Sequence, residues 1–164
     1  MTAMGCESQH RDMTLILGIG NPLQGDDGAG IRAVELLTER NLPANIRVEE
    51  AGMPGWGLPA WLEGWSSVII VDAVRMGQAP GTWRCFSPEE VRLITEDNLL
   101  SLHQTDLTNG LALAQALDIL PDSLVFYGIE PGSTDYGMDL SPAVNHNLPE
   151  LVDKILADLG NSEA

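Results

Sequence analysis

Two adjacent carboxylates, Asp26 and Asp27, stand in a glycine-rich stretch that directly follows an apolar run. The run at 15–19 is typical of a strand covered on both faces, and the glycines after it permit a sharp turn. A helix is predicted to begin near Gly28. Because open α/β sheets carry their chemistry in the crevice beyond the carboxyl ends of the strands, both carboxylates are candidates for metal binding or acid–base catalysis.

Three other interpretations apply to this loop. Gly18 and Gly20 are typical of a dinucleotide-binding turn, but that fingerprint requires a further glycine where Leu23 stands. A bound phosphate would be repelled by the two carboxylates. The third interpretation makes Asp26 or Asp27 the N-cap of the helix that follows. One helix needs one cap, so the other carboxylate remains available for chemistry.

A further carboxylate, Asp72, follows the aliphatic run 68–71. Such a run predicts a buried parallel strand, and an aspartate at its end can simply form a turn. Because the carboxyl ends of neighbouring parallel strands open on one crevice, we expect Asp72 to face Asp26 and Asp27. His103 precedes a predicted helix, where a lone histidine is more often solvated or hydrogen-bonded than a ligand. Of the three histidines, it has the setting best suited to a site.

The rest of the chain alternates predicted strands and helices. Strands are predicted from apolar and alternating runs, and they lie at 15–19, 46–51, 67–73, 81–86 and 123–130. Helices are predicted from amphipathic periodicity and caps, at 28–40, 56–65, after Ser87, from Thr105 through Leu117 and from Ser141 through Leu159. This order predicts an α/β fold, a three-layer αβα sandwich around a mostly parallel five-stranded sheet with 81–86 at an edge.

Composition restricts the classes of function. A chain of 164 residues with 44% hydrophobic content predicts one domain over 1–164, of which we expect 1–12 and 160–164 to be flexible. No apolar run approaches the length of a membrane span, and 1–11 lacks the apolar centre of a signal peptide, so we expect a cytoplasmic protein. The net charge of −16 argues against nucleic-acid and anionic-membrane binding and favours either solubility or a basic partner. We also expect a monomer.

Four sequence features occur in a set order along the chain. They are Gly18-Ile19-Gly20-Asn21 with Asp26-Asp27-Gly28-x-Gly30, a strand that ends in Asp72-Ala73, the pair Pro80-Gly81, and His103. Together they resemble the hydrogenase maturation proteases, and the similarity covers nearly the whole chain. The resemblance implies that family's twisted five-stranded sheet. It also implies an endopeptidase that removes the C-terminal extension of a nickel–iron (NiFe) hydrogenase large-subunit precursor after nickel insertion.

The resemblance further implies a ligand set and a metal. The family's metal-contacting residues match Asp27, Asp72 and His103 here, and the metal is nickel supplied by the hydrogenase precursor. Two carboxylates and one imidazole suit a divalent transition metal and leave coordination positions open, which fits an ion that arrives with the substrate. The candidate catalytic residues are Asp26, Asp27 and Asp72. Either Asp26 or Asp72 activates a water against a metal-polarised carbonyl, or a carboxylate acts as general base while nickel positions the precursor.

The sequence leaves the particular substrate and a rival function open. Many family members carry Asp-Gly-Gly-Thr after the second strand, in a region linked to substrate choice, whereas this chain has Glu50-Ala51-Gly52-Met53. The resemblance therefore does not identify the hydrogenase. The rival function is a non-catalytic nickel-sensing chaperone or scaffold, which would bind the same precursor through the same three ligands without cleaving it. A flavodoxin-like nucleotide binder is disfavoured by the acidic loop.

Overall fold

The sheet determines where the candidate residues lie. The computed structural model describes residues 10–91 and 102–162. Its strands are β1 His10–Ile19, β2 Ile46–Gly52, β3 Trp65–Ala73, β4 Trp83–Phe86 and β5 Ser123–Ile129. Within the described residues they form one five-stranded sheet in the order β2-β1-β3-β5-β4, parallel except for β4, which pairs antiparallel with β5 at the edge. The predicted mostly parallel sheet is confirmed.

Helices cover both faces of the sheet. They are α1 Ala29–Thr38, α2 Leu58–Leu62, α3, which is helical at 88–91 where the first described part ends, α4 Leu102–Ala116 and α5 Pro142–Ser162. The first and last of these pack on one face, and α2 and α4 pack on the other. The predicted three-layer αβα sandwich is therefore confirmed. None of the described helices is long and apolar enough to cross a membrane.

The two central strands are apolar on both sides because both faces of the sheet are covered. In β1, Ile16 packs with α1 and α5, whereas Leu15 and Leu17 pack with α2 and α4. In β3, Ile69 and Ile70 likewise belong to opposite cores. This explains the near-continuous aliphatic runs, since each fully buried Leu or Ile contributes about 1.5–3 kcal/mol relative to an exposed one.

Two helix starts predicted from caps are confirmed. The backbone N–H of Glu90 donates to Ser87 Oγ at 3.3 Å, and the backbone N–H of Ser87 donates to Glu90 Oε2 at 2.8 Å. Before α5, the backbone N–H of Val144 donates to Ser141 Oγ at 3.5 Å, and Pro142 is the first helical residue. Local capping chemistry therefore sets both starts.

Other predicted boundaries are wrong. The single helix predicted at 56–65 is instead a 3-10 turn at Gly55–Gly57 followed by the short α2, and Trp65 already belongs to β3. Gly64, with a φ of +84°, turns the chain between that helix and the strand. The edge strand begins at Trp83 rather than at residue 81. The apolar tryptophans of this segment therefore predicted one continuous helix, whereas the backbone turns at Gly64 before β3 begins.

Regular structure reaches further toward both ends of the chain than predicted. β1 begins at His10, where it pairs with Trp65 of β3, and α5 continues to Ser162. Residues 10–12 and 160–162, which lie in the segments expected to be flexible, thus belong to a strand and a helix. The first half of β1 has no apolar pattern, so it could not be predicted from its side chains. Backbone hydrogen bonds, which do not depend on side-chain type, join it to the sheet.

Candidate functional site

Three buried acids lie at the carboxyl edge of the sheet. Asp26 and Asp27 belong to the 3-10 turn Gly25–Gly28 in the loop after β1, and Asp72 is the second-last residue of β3. These two strands are adjacent and parallel, so their carboxyl ends lie side by side. The structure thus places the three predicted carboxylates at one edge.

Asp72 and Asp27 act on each other electrostatically. Burial raises the pKa of Asp72 well above its ordinary value of 3.8. The negative charge of Asp27 raises that pKa further, while a hydrogen bond from the backbone N–H of Ala73 lowers it. A cation bound near both carboxylates would remove the repulsion, so the pair is suited to receive one.

Asp27 is held by the backbone of the preceding loop. Its Oδ2 accepts a hydrogen bond from the backbone N–H of Asn21 at 2.9 Å. Gly20 has a φ of +130°, and a Cβ there would lie 1.8 Å from the carbonyl oxygen of Asp27. Because only glycine fits this position, the Gly-x-Gly-Asn segment fixes where Asp27 stands.

A second glycine lets α1 approach the two strands that carry the acids. A Cβ on Gly30 would lie 2.3 Å from the carbonyl oxygens of both Ile19 and Val71. Those oxygens lie near the carboxyl ends of β1 and β3, so a larger residue would push the helix away. Because they have no side chain, the glycines of the sequence motif therefore let the acidic turn and α1 pack closely against the sheet.

Asp26 has a different environment from its neighbour. Its carboxylate is fully buried and accepts three backbone N–H hydrogen bonds, from Gly132 at 2.6 Å, Ser133 at 3.1 Å and Ser141 at 2.6 Å. These donors lie at both ends of the loop between β5 and α5. One charged side chain therefore closes that loop.

The N-cap interpretation is wrong for both aspartates. Gly28 occupies the N-cap position of α1, and no side chain of the described residues caps that helix. The intervening 3-10 turn directs Asp26 to the distant loop and leaves Asp27 bound to Asn21. The two carboxylates therefore have different partners, which come from tertiary structure rather than from the helix start.

Removing the Asp26 carboxylate is expected to destabilise the protein. In an Asp26→Ala variant three buried backbone N–H groups lose a charged acceptor, which should lower the free energy of unfolding by about 3 kcal/mol and Tm by roughly 10 °C. Thermal melts followed by circular dichroism measure the change. The matched control is Asp27→Ala in the same turn. Its Tm should change little, because the loss of one hydrogen bond from Asn21 is offset by removal of the repulsion between Asp27 and Asp72. Equal losses in both variants would contradict this assignment.

A fourth buried acid, Glu130, was missed by the sequence reasoning. It directly follows β5, and its Oε2 accepts hydrogen bonds from the backbone N–H groups of Met76 at 2.6 Å and Gln78 at 3.2 Å. It therefore holds the loop after β3, much as Asp26 holds the loop after β5. The available signal was its place at the end of an apolar strand, which it shares with Asp72.

A small cleft opens beside Asp72. Its volume is about 30 Å³, which has room for one water molecule or one ion, and Gly20, Met53, Asp106 and Leu107 are among the residues that line it. Sequence reasoning missed Asp106, which is exposed on α4. The signal that could have found it is its position in the sequence, three residues after the candidate ligand His103.

The third predicted ligand, His103, belongs to the first turn of α4. Its side chain lies outside the described residues, so the site of Asp27, Asp72 and His103 stays a prediction. The following turn of α4 brings Asp106 and Leu107 to the cleft, which places this end of the helix at the acidic edge. Among the side chains that the structure describes, no group of three His, Cys, Asp or Glu residues is arranged to hold a metal ion.

Fold and site together define a class of protein, an α/β sandwich with a buried carboxylate pair, suited to a cation, where parallel strands end. Residues 31–158 match the family model HycI, which describes a hydrogenase maturation protease. The chain therefore belongs to the hydrogenase maturation protease family. The matched residues include Asp72 and His103.

Relatives and solved structures agree with this membership. The chain is 38% identical over 135 residues to the hydrogenase expression/formation protein HupD of Rhodobacter capsulatus, covering 81% of this chain but 64% of that protein, just under two thirds. It is 32% identical over 150 residues to the hydrogenase 2 maturation protease of Escherichia coli (strain K12), covering 90% and 91%. The hydrogenase maturating endopeptidase HybD from E. coli has the same fold, with a TM-score of 0.82, 31% identity and coverage of 92% and 93%.

Proposed function

We propose that this protein is an endopeptidase that removes the C-terminal extension of a nickel–iron hydrogenase large-subunit precursor after nickel insertion. The observation that carries the proposal is the buried pair Asp27, in the turn after β1, and Asp72, near the end of the adjacent β3, in a chain that belongs to the hydrogenase maturation protease family. The names of the two E. coli relatives, a maturation protease and a maturating endopeptidase, support the peptidase activity. We place this activity in the cytoplasm and assign it to the monomer.

Nickel carried by the precursor is the proposed recognition signal. Asp27, Asp72 and His103 would contact it, since two carboxylates and one imidazole suit a divalent transition metal. Three protein ligands leave coordination positions for donors that belong to the precursor. The repulsion between the two carboxylates also favours the arrival of a cation. A precursor without nickel then binds less well than the loaded one.

Peptide hydrolysis requires an activated water and a proton for the leaving nitrogen. Asp72 is the group that we assign to both steps, because it lines the cleft at the acidic edge. It takes a proton from the water as the oxygen attacks the carbonyl carbon, and it returns that proton to nitrogen as the C–N bond breaks. Bound nickel would polarise the scissile carbonyl or orient the precursor.

The two adjacent aspartates take different parts in this proposal. Asp27 supplies negative charge beside Asp72 and acts as a metal ligand. Asp26 was among the catalytic candidates, but both of its carboxylate oxygens already accept backbone N–H groups. We therefore assign Asp26 a positioning role, in which it holds the loop after β5 at the edge of the sheet where the acids lie.

Intact-mass spectrometry of the precursor tests the peptidase activity. The purified protein is incubated with a nickel-loaded large-subunit precursor, and the precursor is weighed over time. We expect the wild type to shorten the precursor by the mass of its C-terminal extension, and an Asp72→Asn variant to leave it unchanged. If the wild type binds the precursor but its mass never falls, the protein is the non-catalytic nickel-sensing chaperone or scaffold instead.

A further inference from the structure

Large apolar side chains are exposed at the acidic edge of the sheet. Leu23 is 66% exposed, Tyr136 72% and Met138 57%. The first lies in the loop after β1, and the other two lie in the loop after β5. Single exposed apolar residues are ordinary, but a cluster next to a site marks an interaction surface.

Backbone hydrogen bonds join the two loops into one surface. The N–H of Gly137 donates to the carbonyl oxygen of Leu23 at 2.9 Å, and the N–H of Gly25 donates to the carbonyl oxygen of Met138 at 3.1 Å. Leu23 therefore lies against the segment that carries Tyr136 and Met138. These three residues are named the apolar rim.

The buried Asp26 holds the apolar rim in shape. Its carboxylate accepts backbone N–H groups at both ends of the loop after β5, from Gly132, Ser133 and Ser141. Its own N–H donates to the carbonyl oxygen of Ser133 at 2.8 Å, which ties the same loop to the turn after β1. A surface that is already rigid loses less conformational entropy when a partner covers it.

Acidic side chains lie next to the apolar rim. Asp135 and Asp139 are exposed in the same loop, on either side of Tyr136 and Met138. The whole chain has a net charge of −16. A complementary partner therefore carries apolar side chains flanked by Lys and Arg, because opposite potentials steer association and like charges exclude other partners.

We propose that the apolar rim is the docking surface for the folded body of the hydrogenase precursor, which meets it with an apolar patch flanked by basic side chains. This inference rests on the proposed function. Leu23 precedes the buried Asp26 and Asp27 by only three and four residues, so the rim is continuous with the acidic edge. A precursor seated there presents its C-terminal extension to the cleft, with an affinity that does not depend on nickel alone.

Steady-state kinetics of a double variant test the apolar rim. With a nickel-loaded precursor that the wild type cleaves, Tyr136→Ser/Met138→Ser should raise KM about tenfold, or ~1.4 kcal/mol, and leave kcat within about twofold, because the acids are untouched. Leu23→Ser alone should raise KM in the same direction, and it serves as a second variant if the double variant melts early. The matched control is Leu117→Ser, which removes a side chain that is 56% exposed beyond the far end of α4 and should not change KM.

Each outcome decides the proposal. An unchanged KM in both rim variants, with cleavage intact, would overturn the docking surface and leave the proposed function standing. If the wild type cleaves no loaded precursor, the proposed function fails, and binding of that precursor to wild type and double variant by biolayer interferometry still tests the rim. Equal affinities would overturn it. Sedimentation of the wild type and the double variant tests whether a second copy of this chain occupies the rim instead. A dimer that forms in the wild type but not in the variant, with KM unchanged, would assign the rim to that second copy.

Discussion

Replacing Asp27 by Asn is expected to slow processing of the precursor about 10³-fold, a loss of roughly 4 kcal/mol of transition-state stabilisation. The amide keeps an oxygen for the backbone N–H of Asn21, so the turn should survive. What the variant loses is the negative charge that acts with Asp72 at the cleft. Release of the C-terminal extension under single-turnover conditions measures the effect. We expect Asp26→Asn, in the adjacent position, to cost less activity.

Melting temperature against pH supplies a control for folding. The pKa of Asp72 is raised in the folded state. The stability that this carboxyl group contributes is therefore fully present below pH 3.8, its ordinary pKa, and is lost as the pH rises through the raised pKa of the folded protein. Asp27→Asn removes one cause of that rise. The variant should therefore lose less stability than the wild type between acid and neutral pH. Equal and complete loss of cleavage in Asp27→Asn and Asp26→Asn, with both folded, would refute the division of roles.

Nickel in the precursor is expected to raise the cleavage rate about 100-fold, or ~2.7 kcal/mol, over the nickel-free precursor. The proposed site is incomplete, because Asp27, Asp72 and His103 leave positions for donors of the substrate. The purified protein should accordingly hold little tightly bound metal by elemental analysis. Metal-free protein is mixed with stoichiometric precursor, with or without nickel, and release of the C-terminal peptide is followed.

Two results would contradict nickel sensing. Equal release from loaded and nickel-free precursors would mean that the protein does not read the metal. Release from the nickel-free precursor that depends on added zinc would identify an ordinary metallopeptidase instead. An Asp72→Asn variant is the internal control, because it should release no peptide under either condition.

Local patterns in the sequence were sufficient to predict the sheet and the acids at its edge. The runs that become β1 and β3 are aliphatic because both faces of those strands are covered, so their ends could be recognised from the residues alone. Asp72 directly follows the aliphatic run of β3, and Asp27 lies in the loop after β1. The carboxyl ends of these parallel strands lie side by side. The cap at Ser87 was equally readable, because its partner Glu90 is three residues away.

The roles of single side chains were decided by contacts between distant segments. Asp26 and Asp27 look alike in sequence, yet Asp26 binds Gly132 and Ser141, which are 106 and 115 residues away. Local sequence cannot predict such hydrogen-bond partners, because hydrogen bonds of this kind form only after the loops meet in the fold. The place of Asp106 at the cleft and the exposure of Tyr136 in the loop after β5 have the same origin. The sequence by itself determined which strand ends lie next to the acids. Only tertiary packing determined that Asp72 lines the cleft and that Asp26 holds a loop.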